Sequence, residues 1–223
     1  MEPGEPAVKP RRQYDNSNRQ HLAAAARAVV VREATRLFLE LGFARTTIAA
    51  IAAAAGVSPE TIYRTFGGKP GVLRAACLAA LAGEAPVHAE ARSDALQAAL
   101  TDPREIVRSW GRLVSEVAPR ISPLLLLVRD AAGSDPEMAR FRLEMEEQRL
   151  ERMTHNARNL VANGHLAEAL PIESAAEVMW TYTSPELFEL LVLRRGWDIE
   201  RFAGFVTDAL TAALLSPRGL DRA

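Results

Sequence analysis

The chain has 223 residues, 48% of them apolar and 25% charged, with a formal net charge of −1 and a single cysteine. That length can bury a sizeable core, the composition is of ordinary globular type, and one cysteine excludes an internal disulfide or a thiolate metal cage within one chain. No apolar run approaches the roughly 20 residues that cross a bilayer, and the opening MEPGEPAVKP lacks the apolar stretch of a signal peptide, so we expect a cytoplasmic chain with no membrane partner.

Charge is unevenly spread. Residues 1–83 hold eleven Lys and Arg against six Asp and Glu, whereas residues 84–223 hold sixteen against twenty-two. A basic first third on a slightly acidic remainder suits a small polyanion-binding module on a larger body. Ala, Leu, Glu and Arg dominate, and strand-favouring Val, Ile and Tyr are scarce, which points to an all-α fold.

In chain order, residues 1–18 combine Pro3, Pro6 and Pro10 with Lys9, Arg11 and Arg12 and show no apolar period, the pattern of a disordered basic arm. A helix is predicted from about Arg19 to Leu41 on Val30, Ala34, Leu37, Phe38 and Leu41, stopped by Gly42 in a left-handed turn. Three short helices follow. Thr46 or Thr47 caps the first, from Ile48 to about Ala54. Ser58 caps the second, with Pro59 at its first position and Gly67-Gly68 at its end, and the third runs from about Pro70 to Leu81.

Residues 83–103 are poor in large apolar side chains and predict a connector holding at most a short helix. Beyond them Ile106, Trp110, Leu113 and Val117 form one stripe, and the LLLLV run at 124–128 is apolar all round, as in a fully buried helix. Met138, Phe141, Met145 and Leu160 mark a long helix after Asp135-Pro136. Ser184-Pro185 starts another that Gly196 ends, and Asp198 caps a last one carrying Phe202, Phe205, Val206, Leu210 and Leu214.

Ala52, Gly56, Val57 and Ile62 carry the functional reading. Two helices that cross steeply need a small side chain at the crossing, a glycine at the turn four residues on, and an aliphatic anchor on the second helix. The spacing of Ala52, Gly56 and Ile62 is that of a helix-turn-helix, which Phe66 completes. At 100° per residue Ile62 and Phe66 face inward, leaving Glu60, Tyr63 and Arg64 outside with Thr61 at the edge. An Arg can donate twice to guanine and a Glu can accept from cytosine in a major groove. The alternative is that Glu60 and Arg64, four apart, only pair with each other in solvent. Thr47, Ser58 and Lys69 lie at helix starts, where phosphate is favoured.

The stretch REATRLFLELGFARTTIAAIAAAAGVSPETIYRTFGGKPGVL, residues 32–73, resembles the N-terminal DNA-binding domain of TetR/AcrR-type transcriptional repressors. The likeness rests on Phe38, Gly42, Thr46, Thr47, Ile51, Ala52, Gly56, Val57, Ser58, Tyr63, Phe66 and Lys69. Arg64 and Thr65 stand where that family often has a second Tyr and a His, and Pro70-Gly71 where acidic residues are common. The resemblance implies an N-terminal three-helix helix-turn-helix domain on a larger helical domain, about nine to ten helices in all. It also implies a homodimer that binds a pseudo-palindromic operator and is released by a small-molecule effector, with no cofactor. The expected segments are the arm at 1–18, the DNA-binding domain at 19–83, the ligand-binding and dimerisation domain at 84–216 and a tail at 217–223.

For the ligand pocket the candidates are Trp110, Phe141, Met145, Arg149, Met179 and Trp180, each of which also fits a plain core role. Arg149 falls inside the apolar stripe of its helix and, since an unpaired buried guanidinium is costly, is expected to meet an acid such as Asp130, with reaching solvent or binding an anionic ligand group as the alternatives. The dimer candidates are Leu187, Leu190, Leu191, Phe205, Leu210 and Leu214. An enzyme reading finds nothing to build on: His21, His88, His155 and His165 are scattered, and neither a phosphate loop nor a nucleophile elbow appears. Cys77 reads as a core or interdomain packing residue, with a redox sensor as the alternative. A helical interaction module without DNA binding also stays open.

Overall fold

A computed structural model describes residues 14–83 and 85–215, with side chains from Arg19 onward. The arm cations Lys9, Arg11 and Arg12 and the tail at 217–223 lie outside the described residues. Among the described residues ten α-helices follow one another: α1 Tyr14–Arg45, α2 Ile48–Ala55, α3 Pro59–Phe66, α4 Lys69–Ala82, α5 Ala89–Ala99, α6 Pro103–Ala132, α7 Pro136–Ala162, α8 Ile172–Tyr182, α9 Pro185–Phe188 and α10 Ile199–Leu214. A π-helical segment, Glu189–Arg194, continues α9. The described residues hold one isolated antiparallel bridge, Leu166 to Leu215, and are otherwise all-α.

Helix α1 starts five residues earlier than expected. Once the Ala-rich stretch after Arg19 is helical, extending it backward costs little, because propagation is cheap where nucleation is not. Its regular geometry breaks at Gly42, where φ is 79°. Helix α5, eleven residues long, is the short helix allowed within the expected connector. Its inward residues are Ser93 and Gln97, so no apolar stripe announces it.

Two cores meet along the α6–α7 pair. One joins Val30, Ala34 and Phe38 of α1 and Leu73 and Cys77 of α4 to Leu124 of α6 and Phe141 of α7. The other joins Ile106 and Trp110 of α6 to Leu160, Met179, Phe202 and Leu210. The first core therefore is not closed by residues 19–83 alone; the later half of α6 and the start of α7 complete it. LLLLV lies in that shared stretch, with Leu124, Leu126 and Val128 buried.

Close approach fixes two crossings. A Cβ on Gly111 would lie 2.0 Å from Thr207 Oγ1, so α6 and α10 touch where only hydrogen fits. A Cβ on Gly71 would lie 1.8 Å from the Phe66 carbonyl oxygen, which seats the end of α3 on the first turn of α4.

Candidate nucleic-acid interface and effector cavity

The two threonines between α1 and α2 divide the work. Thr46 is buried and its hydroxyl donates to the carbonyls of Gly42 (2.8 Å) and Leu37 (3.2 Å), satisfying acceptors that the break at Gly42 leaves open. Thr47 is the N-cap of α2, its hydroxyl accepting from Ala50 N–H at 3.1 Å. Helix α2 closes on Gly56 (φ 66°): Val57 N–H reaches Ala52 O at 3.0 Å and Gly56 N–H reaches Ala53 O, the paired bonds of a Schellman turn. Ala52 and Ile62 are buried at the α2–α3 crossing, with Val57 and Phe66 packed against the same core.

That packing leaves the other face of α3 in solvent. Ser58 caps it, its hydroxyl accepting from Thr61 N–H at 3.3 Å and lying 3.2 Å from Thr61 Oγ1. Tyr63 is 56% exposed and Arg64 is exposed. Glu60 and Arg64 form no ion pair. Glu60 turns back toward the start of its helix, where its own backbone N–H and then the Ser58 hydroxyl hold its carboxyl below the ordinary value. Arg64 is left without an acidic partner among the described residues.

Lys69 points elsewhere. Its ammonium donates to Phe43 O at 2.8 Å and lies 4.3 Å from the Phe43 ring centroid, so the side chain ties the start of α4 to the end of α1. What Lys69 presents at the surface is the opening turn of α4, whose N-cap Gly68 offers no side chain. Arg27, unremarked in the sequence, stacks on Phe66 at 4.6 Å and braces α3 from α1.

In the larger body a cavity of about 220 Å³ lies between α5, α6, α7 and α8, reaching Leu81 at the end of α4. Trp110, Met145, Arg149 and Met179 line it. Phe141 does not: it sits in the first core under Arg74, whose guanidinium is 4.6 Å from its ring. Trp180 also lies off this cavity, on a second depression bordered by Arg129, Arg142 and Glu186.

The expected Arg149–Asp130 pair is absent, because Asp130 faces Arg129 at 3.0 Å. Arg149 instead donates to the Trp180 carbonyl and, at 3.5 Å, to Thr183 Oγ1, with its guanidinium 4.4 Å from the Trp180 ring centroid. Burial lowers its pKa to about 10, with Glu186 and Glu146 opposing the shift.

Of the dimer candidates, Leu190 is 51% and Phe205 37% exposed, and Leu187 and Leu191 are half-buried. Leu210 and Leu214 belong to the chain's own core and offer nothing to a second copy, since the inward stripe of α10 is consumed by α6 and α8. Leu193 is 54% exposed beside Leu190, and Phe205 meets Tyr182 (6.0 Å) and Trp197 (5.7 Å) edge to face in an aromatic cluster at the surface. Cys77 is buried and desolvation pushes its thiol up to about 12. No helix among the described residues is long and apolar enough to cross a membrane.

A helix-turn-helix with a free outer face, carried on a larger helical body with an internal cavity, is the build of a DNA-binding regulator. Residues 30–76 match the family model of "Bacterial regulatory proteins, tetR family". No curated protein matches the chain. Among solved structures it is similar to a TetR-family regulator from Syntrophomonas wolfei, with TM-score 0.69 and 18% identity over 90% of this chain and 97% of that one. A complex of SmeT with triclosan gives TM-score 0.67 and 22% identity over 87% and 94%, and a regulator from Saccharomonospora viridis bound to choline gives 0.66 and 17% over 86% and 99%. SmeT is the repressor of a multidrug efflux pump in Stenotrophomonas maltophilia. Residues 30–76 thus match the tetR-family DNA-binding module, and the described residues take the fold of TetR-type regulators.

Proposed function

We propose that this protein is a homodimeric repressor that holds a palindromic operator through α3 and releases it when a small molecule fills the cavity between α6, α7 and α8. The observation that carries the reading is the outer face of α3: Tyr63 and Arg64 stand in solvent, Arg64 has no acidic partner, and Glu60 is turned aside. Arg64 and Tyr63 are assigned to the major groove, with Glu60 and Thr61 beside them. The Thr47 and Ser58 hydroxyls accept backbone N–H bonds; Thr47 keeps its proton for a phosphate oxygen, and Ser58 and Thr61, which share one hydroxyl–hydroxyl bond, keep one proton between them. At Lys69 the backbone N–H of the first turn of α4 takes the phosphate, its ammonium being engaged with Phe43. The cavity's reach to Leu81 on α4 supports the effector role, because α4 packs directly against α3.

The test is a mobility-shift titration on the protein's own upstream DNA. Replacing Tyr63 and Arg64 by Ala is expected to weaken binding at least tenfold and leave the oligomeric state unchanged in sedimentation, since each side chain lies outside both cores. Unchanged affinity in that double variant would remove α3 as the reading helix.

A further inference from the structure

The cavity wall is strongly apolar, yet it carries a guanidinium with no carboxylate in contact. Arg149 lies on α7 between this cavity and the second depression, lining both, and its hydrogen-bond partners are neutral: the Trp180 carbonyl on the far side and the Thr183 hydroxyl on the cavity wall. The nearby acids are committed or distant: Glu146 accepts from Arg142 at 2.7 Å, Asp130 accepts from Arg129, and Glu186 approaches Arg149 without reaching ion-pair contact. Arg152, also on the lining, is already clasped by both oxygens of Asp94. Glu90 is the only acidic side chain on the lining among the described residues.

We propose that the cavity takes an apolar organic acid, its hydrophobic body against Val114, Val117, Met145 and Met179 and its anionic group on Arg149. This rests on the effector reading above and narrows it to a chemical class. The volume fits such a body, exceeding the roughly 150 Å³ of a dry apolar cavity that admits benzene. A guanidinium on an apolar wall discriminates by charge: an anion gains a charge-assisted bond, a neutral isostere gains less, and an ammonium is repelled.

The test pairs acids with neutral isosteres: decanoate, 2-naphthoate and biphenyl-4-carboxylate against the three corresponding primary amides, titrated calorimetrically into the full-length protein. At least one acid is expected to bind tenfold or more tighter than its amide, the step a charge-assisted hydrogen bond gives. Arg149→Gln is expected to erase that preference while amide affinity holds, and Arg149→Lys to retain part of it. Thermal melts of each variant establish that the fold is kept. Amides that bind as tightly as acids, or a preference that survives Arg149→Gln in a folded variant, would overturn this inference and leave a ligand-responsive cavity standing. Failure of all six probes to bind would overturn both.

Discussion

Gly71 shows how one missing methyl can position a recognition helix. Alanine is the better helix former by about 1 kcal/mol, so propensity alone favours Gly71→Ala. The structure reverses the sign: the new Cβ would stand 1.8 Å from the Phe66 carbonyl oxygen, and a backbone atom cannot swing away as a side chain would. We expect Gly71→Ala to destabilise by about 1–3 kcal/mol, the usual cost of overpacking, read as a lower denaturant midpoint at unchanged slope. A variant as stable as the parent would mean that α3 does not rest on α4 as described. In sequence this glycine looks like a departure from the family's acidic residues; its contact is with a residue on another helix, which no local pattern reports. Thr46 and Thr47 make the complementary point. Their position at a helix start is legible, but only the fold assigns one to the buried end of α1 and the other to the cap of α2.

Helix α5 teaches the same lesson at the scale of an element. Hydrophobic periodicity finds helices that bury apolar stripes, and α5 buries a polar one. Gln97 Nε2 donates to Asn156 Oδ1 at 3.2 Å, Arg92 reaches Glu116 of α6 at 2.6 Å, and Arg152 of α7 reaches Asp94 at 2.7 Å. The Arg152 hydrogen bond holds the Asp94 carboxyl below its ordinary value, and the Arg92 hydrogen bond does the same for Glu116. Carboxyls depressed in the folded state stabilise it above their unfolded pKa and lose that contribution as pH falls through the folded one. The docking of α5 is therefore expected to hold at neutral pH and to weaken below the ordinary carboxylate range. Hydrogen exchange compared at pH 7 and pH 3, corrected for intrinsic rates, should show α5 amides losing protection before those of α7. Equal loss in both helices would contradict this.

At the scale of the whole molecule the question is which apolar surface the folded chain leaves uncovered. Leu210 and Leu214 continue a 3.6-residue period and so look available, but packing against α6 and α8 spends them within one chain. Leu190, Leu193 and Phe205, with the Trp197 and Tyr182 rings, stay at the surface around the π-helical segment and α10. An operator with two half-sites needs two reading helices, and this face is where a second copy would supply the other. Replacing Leu190 and Leu193 by Asp is expected to yield monomer in sedimentation equilibrium, with unchanged helicity and at least a tenfold loss of operator affinity. A persistent dimer would move the interface off this face.

The sequence alone determined the local grammar: helix starts at Ser58, Asp135, Ser184 and Asp198, the turn at Gly56, and the Ala52–Gly56–Ile62 spacing of the helix-turn-helix. These are short-range, because a cap or a turn is satisfied within a few residues of itself. Only the tertiary structure decided that Glu60 folds back to its own helix start instead of pairing with Arg64, that Lys69 faces Phe43, and that Arg149 meets no carboxylate. A charged side chain's partner is chosen by distance in space: Asp130 and Glu146 are taken by Arg129 and Arg142, and Glu186 stays short of ion-pair contact with Arg149.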